Sequence, residues 1–150
     1  MKKLLTFALA LSATLLTLVS CSEITDSGWI KNTRWKADLS VYDVYDTGEA
    51  IISFTMNGYR FKLNASKEDR PDNPGYIKSY SEATYIGEVF YEYPTVKIPY
   101  LQKDKEGNEV TYYWIGTVSE DGRQMVIDKF DGLMQPGSVI EDLHDIVFTR

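Results

Sequence analysis

Apolar and polar residues alternate through most of the chain after residue 33. A period of two marks a strand with one buried face. The run Ile51-Ile52-Ser53-Phe54-Thr55-Met56-Asn57-Gly58-Tyr59-Arg60-Phe61-Lys62-Leu63 is the clearest case. Asn-Gly is the strongest short hairpin signal, because both central positions of the favoured turn need positive φ. Centring the turn there pairs Met56 with Tyr59, Phe54 with Phe61 and Ile52 with Leu63. Ser53 with Lys62 and Thr55 with Arg60 then form the opposite, polar face, as a half-buried antiparallel pair requires.

Three more connections follow from turn chemistry. Asp121-Gly122 sets Val118 against Met125 and Gly116 against Ile127, with Trp114 on the same side. The charged stretch Lys103 to Glu109 joins strands at Val96–Leu101 and Val110–Ser119. Glu92-Tyr93-Pro94 turns between Tyr85–Tyr91 and Thr95–Tyr100, and Pro99 predicts an edge or a bulge. Two stretches lack strand character: Ser66 to Gly75, and Asp131 to Asp145, where Ser138 and Glu141 have capping-box spacing for a helical turn. Ile146 to Arg150 closes the chain as a strand. The sum is an all-β domain of about eight strands in a single antiparallel up-and-down meander, closed or nearly closed as a barrel.

The N-terminus follows a different pattern. Lys2 and Lys3 precede an apolar run from Leu4 to Leu18, then Leu18-Val19-Ser20-Cys21, and Cys21 is the one cysteine in 150 residues. The run is too short and too rich in hydroxyls for a membrane span of about 20 apolar residues, and it has the three regions of a secretory signal. Leu18 to Cys21 resembles the lipobox of bacterial lipoproteins. That resemblance implies a signal peptide over 1–20, a palmitate-type lipid anchor on Cys21, a tether over 21–32 and a domain over 33–150. An intermolecular disulfide is the alternative use of a lone exported cysteine. Ser22 in place of Asp points to the outer membrane, with the periplasmic or cell-surface face open.

Charge narrows the partners. The whole chain carries −6, and loss of the leader removes two of its sixteen basic residues against twenty-two acids. An acidic protein is repelled by phosphate, so nucleic acid and anionic headgroups are poor partners, and no nucleic-acid partner is expected. The acids are scattered and form no single run.

Catalytic chemistry is poorly supplied. His144, the single histidine, lies between Asp142 and Asp145 in the irregular stretch before the last strand. It reads as a surface residue, the alternative being a base or metal ligand. Acid pairs such as Glu88 with Glu92, or Glu120 with Asp121, arise by chance at this acid content. Asp121, Asp128 and Asp131 lack EF-hand spacing. The expectation is a non-enzyme with no metal and no cofactor. Eleven tyrosines and three tryptophans are the more telling residues. They are either a binding surface or good strand formers that pair across a sheet.

Several segments together resemble the lipocalin-like lipoproteins of Bacteroides-type bacteria. These are Asn32-Thr33-Arg34-Trp35-Lys36, Tyr91 to Val96, Gly116 to Met125 and Val147 to Arg150. Trp35 departs from the lipocalin G-x-W signature, because no glycine stands two residues before it. The resemblance implies a small calycin-type barrel with an arginine, here Arg150, packed on the first-strand tryptophan; a frayed Arg150 is the alternative. An eight-strand barrel is just wide enough for side chains or one small ligand, so the first functional reading is a binding module for a small apolar or sugar-like molecule, with Trp35, Phe54, Phe61, Tyr91 and Trp114 as ligand-binding candidates and a packed interior as the alternative. The rival is a protein-interaction lipoprotein, such as an inhibitor of an exported hydrolase.

Overall fold

The computed structural model describes residues 26–42, 45–72, 74–130 and 143–150. Nine strands carry it: β1 Arg34–Asp38, β2 Thr47–Thr55, β3 Gly58–Lys67, β4 Ile77–Ile86, β5 Phe90–Glu92, β6 Thr95–Lys103, β7 Glu109–Val118, β8 Gln124–Phe130 and β9 Leu143–Thr149. All pair antiparallel in one sheet of order β4-β3-β2-β1-β9-β8-β7-β6-β5. The all-β meander expected from the sequence is present.

Two details of that expectation are corrected. There are nine strands among the described residues, because the expected strand Tyr85–Tyr91 divides: Tyr85 lies near the end of β4 against β3, while Tyr91 lies on β5 against β6. The sheet is also a curled half-barrel and not a closed one, with β4 and β5 as its two edges among the described residues. The first and last strands meet at Lys36–Thr149, so the seam falls in mid-chain and not between the termini. Tyr59 bridges it: its buried hydroxyl donates to the Pro99 carbonyl at 2.6 Å, from β3 to β6. β5 covers only Thr95–Lys97 of β6, so Pro99 lies on an edge, where a missing N–H costs no ladder bond.

The first hairpin is displaced from its expected register. Thr55 pairs with Gly58, Phe54 with Tyr59, Ile52 with Phe61 and Ala50 with Leu63. Met56 and Asn57, not Asn57 and Gly58, are the two-residue loop. The reason lies on β4. A Cβ at Gly58 would strike the backbone carbonyl of Tyr85, so this glycine serves close strand approach at φ +152 instead of the turn. Each partner moves by two residues, which preserves sidedness. Ile52, Phe54, Tyr59, Phe61 and Leu63 all remain buried, and only Met56 leaves the core face for solvent.

The second hairpin has the expected register, with Val118 on Met125 and Gly116 on Ile127. The charged loop also sits where expected, between Lys103 and its partner Glu109. The polar stretch from Ser66 begins two residues later, because β3 runs on to Lys67. The possible helical turn at Ser138–Glu141 lies outside the described residues. Leu143, His144 and Asp145 belong to β9 and not to an irregular segment.

The core is aromatic. Trp114 stacks between Tyr100 at 4.8 Å and Phe130 at 4.6 Å, and Phe61 leans on both Trp114 (5.4 Å) and Phe130 (5.5 Å). Offset ring pairs contribute about 0.5–1.5 kcal/mol each beyond their buried area. The β1–β9 junction is thin, and Tyr42 patches it. Its hydroxyl accepts from the Val147 N–H at 3.1 Å and donates to the Asp145 carbonyl at 3.2 Å.

Candidate functional site

One end of the half-barrel gathers the chain's entry and four turns. Thr33 leads into β1 there, and its carbonyl accepts from the Phe54 N–H. The Met56-Asn57 turn abuts the β4–β5 connector, where the Gly87 N–H donates to the Asn57 carbonyl at 2.8 Å. The last residue returns to the same end, with the Arg150 N–H on the Arg123 carbonyl.

A ring cluster fixes this rim. Trp29 stacks on Tyr91 at 5.6 Å and meets Trp35 edge-on at 5.9 Å. The Trp35 indole N–H donates to the Thr33 hydroxyl at 2.8 Å, which orients the ring. The Arg150 guanidinium lies 4.4 Å from the Trp29 ring centre and 5.7 Å from that of Trp35. Arg150 is therefore held on aromatic rings, Trp29 being the nearer, for about 0.5–1 kcal/mol at such an exposed site. Burial pushes the Tyr91 phenol up to about 12, its neighbour Tyr93 adds to the rise and Arg150 opposes it. Tyr91 thus stays neutral through the physiological range.

Beside this cluster lies a cleft of about 670 Å³ between Ser27–Lys31, the β2–β3 turn and residues 86–92. Its apolar walls are Ile30, Phe54, Met56, Ile86, Val89 and Tyr91, with Lys31, Glu88 and Glu92 around them. A second groove of about 860 Å³ runs over the outer face of β5–β7, lined by Phe90, Tyr93, Lys97, Tyr113 and Ile115.

The five ligand-binding candidates divide between two places. Phe54 and Tyr91 line the rim cleft. Trp35, Phe61 and Trp114 are sealed in the core, each touching other rings. Sequence reasoning missed Ile30, Met56, Ile86 and Val89. Met56 was assigned to the buried face and Ile30 to the tether, whereas Trp29 and Ile30 pack against or within the core cluster. The available signal was the contiguous Gly28-Trp29-Ile30, which is unusually apolar for a tether.

Two of the acids, Asp104 and Asp121, cap turns. Asp104 accepts from the backbone N–H groups of Asn108 (2.8 Å) and Glu106 (2.9 Å). Asp121 accepts from the Ser119 hydroxyl (2.6 Å) and the Arg123 N–H (3.0 Å). These bonds, from Asn108 chiefly in one loop and Ser119 chiefly in the other, hold both carboxyls below the usual carboxylate range. His144 is exposed on β9, its Nδ1 3.3 Å from the Asp128 carbonyl oxygen. Among the described residues no group of three or more His, Cys, Asp and Glu is placed to hold a metal ion. Cys21 lies outside the described residues. No family model, curated protein or solved structure matches the chain.

Proposed function

We propose that the chain is a lipocalin-like lipoprotein held on the outer membrane through a lipid on Cys21, acting as a non-enzymatic binding module. Its ligand site is the rim cleft, not the barrel interior. The observation that carries this reading is the cleft itself, whose volume suits a small molecule and whose walls Phe54, Val89 and Tyr91 are apolar with a few polar groups at the margin. The interior is a poor alternative, because Trp114 is stacked on both faces. A non-enzymatic role accords with acids engaged as turn caps and a histidine on the outer face. The ligand class is a small apolar or sugar-like molecule.

Native mass spectrometry of the chain purified from a lipoprotein-processing bacterium tests it. Excess mass that leaves on denaturation, and that a cleft-filling Val89→Trp variant does not carry, is the expected result. Equal bound mass on that variant would move the ligand elsewhere.

The exposed rings of Tyr113 and Phe90 along the outer face of β5–β7 favour a second reading, a protein-interaction lipoprotein such as an inhibitor of an exported hydrolase. Aromatic residues with a polar tip suit such interfaces. A bare chain mass, with a partner retained by the parent and lost from Tyr113→Asp, would favour it.

A further inference from the structure

Three large apolar side chains stand in solvent at the rim: Ile86 is 84% exposed, Met56 58% and Phe90 48%. They come from the end of β4, the β2–β3 turn and the start of β5, yet all three border the same cleft. Convergence of separate segments on one apolar patch marks a contact surface, unlike scattered exposed residues. The chain's N-terminal approach decides what covers it. Ser27 lines this cleft, and Asp26 is only five positions along the chain from Cys21. Five residues span at most about 18 Å when fully extended. A lipid on Cys21 therefore holds the rim within that distance of the bilayer, with the β6–β7 loop at the far end of the strands. The charges around the cleft, Lys31 with Glu88 and Glu92, are too few and too mixed to oppose contact with a largely zwitterionic surface.

We propose that Met56, Ile86 and Phe90 form a membrane-contacting tip, so that the rim cleft opens onto the bilayer and takes a lipid. The inference rests on the anchor reading for its geometry. Side chains of this type settle at the boundary between headgroups and acyl chains. The tip then fixes the orientation of a domain that a lipid alone would leave free to tumble.

The test uses the full chain, processed in a bacterial host and placed in vesicles of phosphatidylethanolamine with a minor share of phosphatidylglycerol. An environment-sensitive fluorophore is attached through Ile86→Cys, and in a second sample through Lys105→Cys on the β6–β7 loop. Intact mass first reports whether Cys21 carries lipid. If it does, emission at position 86 shifts to the blue and falls about twofold with nitroxide lipids, while position 105 does neither. Equal, water-like emission at both positions overturns the tip while leaving the anchor intact. If Cys21 carries no lipid, the anchor reading fails by itself. The same labels are then read on the Cys21→Ser chain mixed with excess vesicles, where the same contrast supports the tip and its absence overturns it. Adding Met56→Asp to the position-86 sample removes the blue shift without moving the melting midpoint, because Met56 is outside the core.

Discussion

Replacing Tyr59 by phenylalanine isolates the bond that spans the seam. The hydroxyl donates to the Pro99 carbonyl at 2.6 Å inside the protein. The substitution keeps the ring and its contacts with Tyr85 (5.5 Å), Phe54 and Trp114 (both 6.4 Å), so it opens no cavity. What it loses is one hydrogen bond, and it leaves the Pro99 carbonyl without that donor. A buried polar group stripped of its partner costs about 1–3 kcal/mol. For a domain of this size each kcal/mol moves the melting midpoint by about 3–5 °C. The variant is expected to melt about 3–15 °C below the parent, with an unchanged urea m-value. Burial also raises the Tyr59 phenol, with Tyr85 adding to the rise. A raised folded value means that this stability is whole below the unfolded phenol value of about 10 and is lost as pH rises through the folded one. Part of the alkaline destabilisation should therefore vanish in Tyr59→Phe. Thermal and urea melts at pH 7 and above pH 10 read both effects, with exposed Tyr113→Phe as the control. A Tyr59→Phe midpoint indistinguishable from the parent would mean that the seam is held by something else.

The other predictions follow from single contacts. Gly58→Ala drives a methyl into the Tyr85 backbone, so it should cost about 3 kcal/mol or more and release β4 from β3, read by amide exchange of Tyr85 and Ile86. Gly107→Ala, with open space around its Cβ, should cost about 1 kcal/mol from positive φ alone. Tyr42→Phe removes both bonds at the β1–β9 junction and should lower stability by about 0.5–1.5 kcal/mol, with faster exchange at Val147. Asp104 has a depressed folded pKa, so its support is present above the unfolded value of about 3.9 and lost as pH falls through the lower folded one. The Asn108 amide resonance should follow that titration, and Asp104→Asn should abolish it.

Legibility from sequence depended on whether the deciding contact was local. The Asp121-Gly122 hairpin was legible in full, because its register is set within the turn, where Asp121 binds Ser119 and Arg123. The first hairpin was legible in sidedness and not in register. Gly58 answers to Tyr85, which is twenty-seven positions away and on another strand. The division of Tyr85–Tyr91 was hidden for the same reason: both halves have strand composition, and only the edge position of each shows that they part. The site was half legible. Phe54 and Tyr91 were named for being aromatic, and so were Trp35, Phe61 and Trp114, which the core absorbs. Ring content alone cannot separate wall from core, because both reward the same residues.

The mid-chain seam links the fold to its proposed role. A meander whose first and last strands pair must leave its opening elsewhere, and here it falls between β4 and β5. β5 is three residues long and pairs only with Thr95–Lys97, while β4 ends at exposed Ile86 against Gly58, so the two edge strands meet the rim without pairing with each other. Unpaired edges invite wrong partners unless they are short or covered. Two devices limit that risk here. Pro99 gives the β6 edge no donor, and Tyr59 occupies its carbonyl. The rim portion between Met56, Ile86 and Phe90 is left uncovered, and it borders the cleft that Ser27, six positions after Cys21, also lines. If it served only as a loose end of the sheet, Ile86→Asp would be neutral to every assay or stabilising through better solubility. If the tip reading is right, the same change leaves the melting midpoint in place and costs the parent's fixed orientation on vesicles.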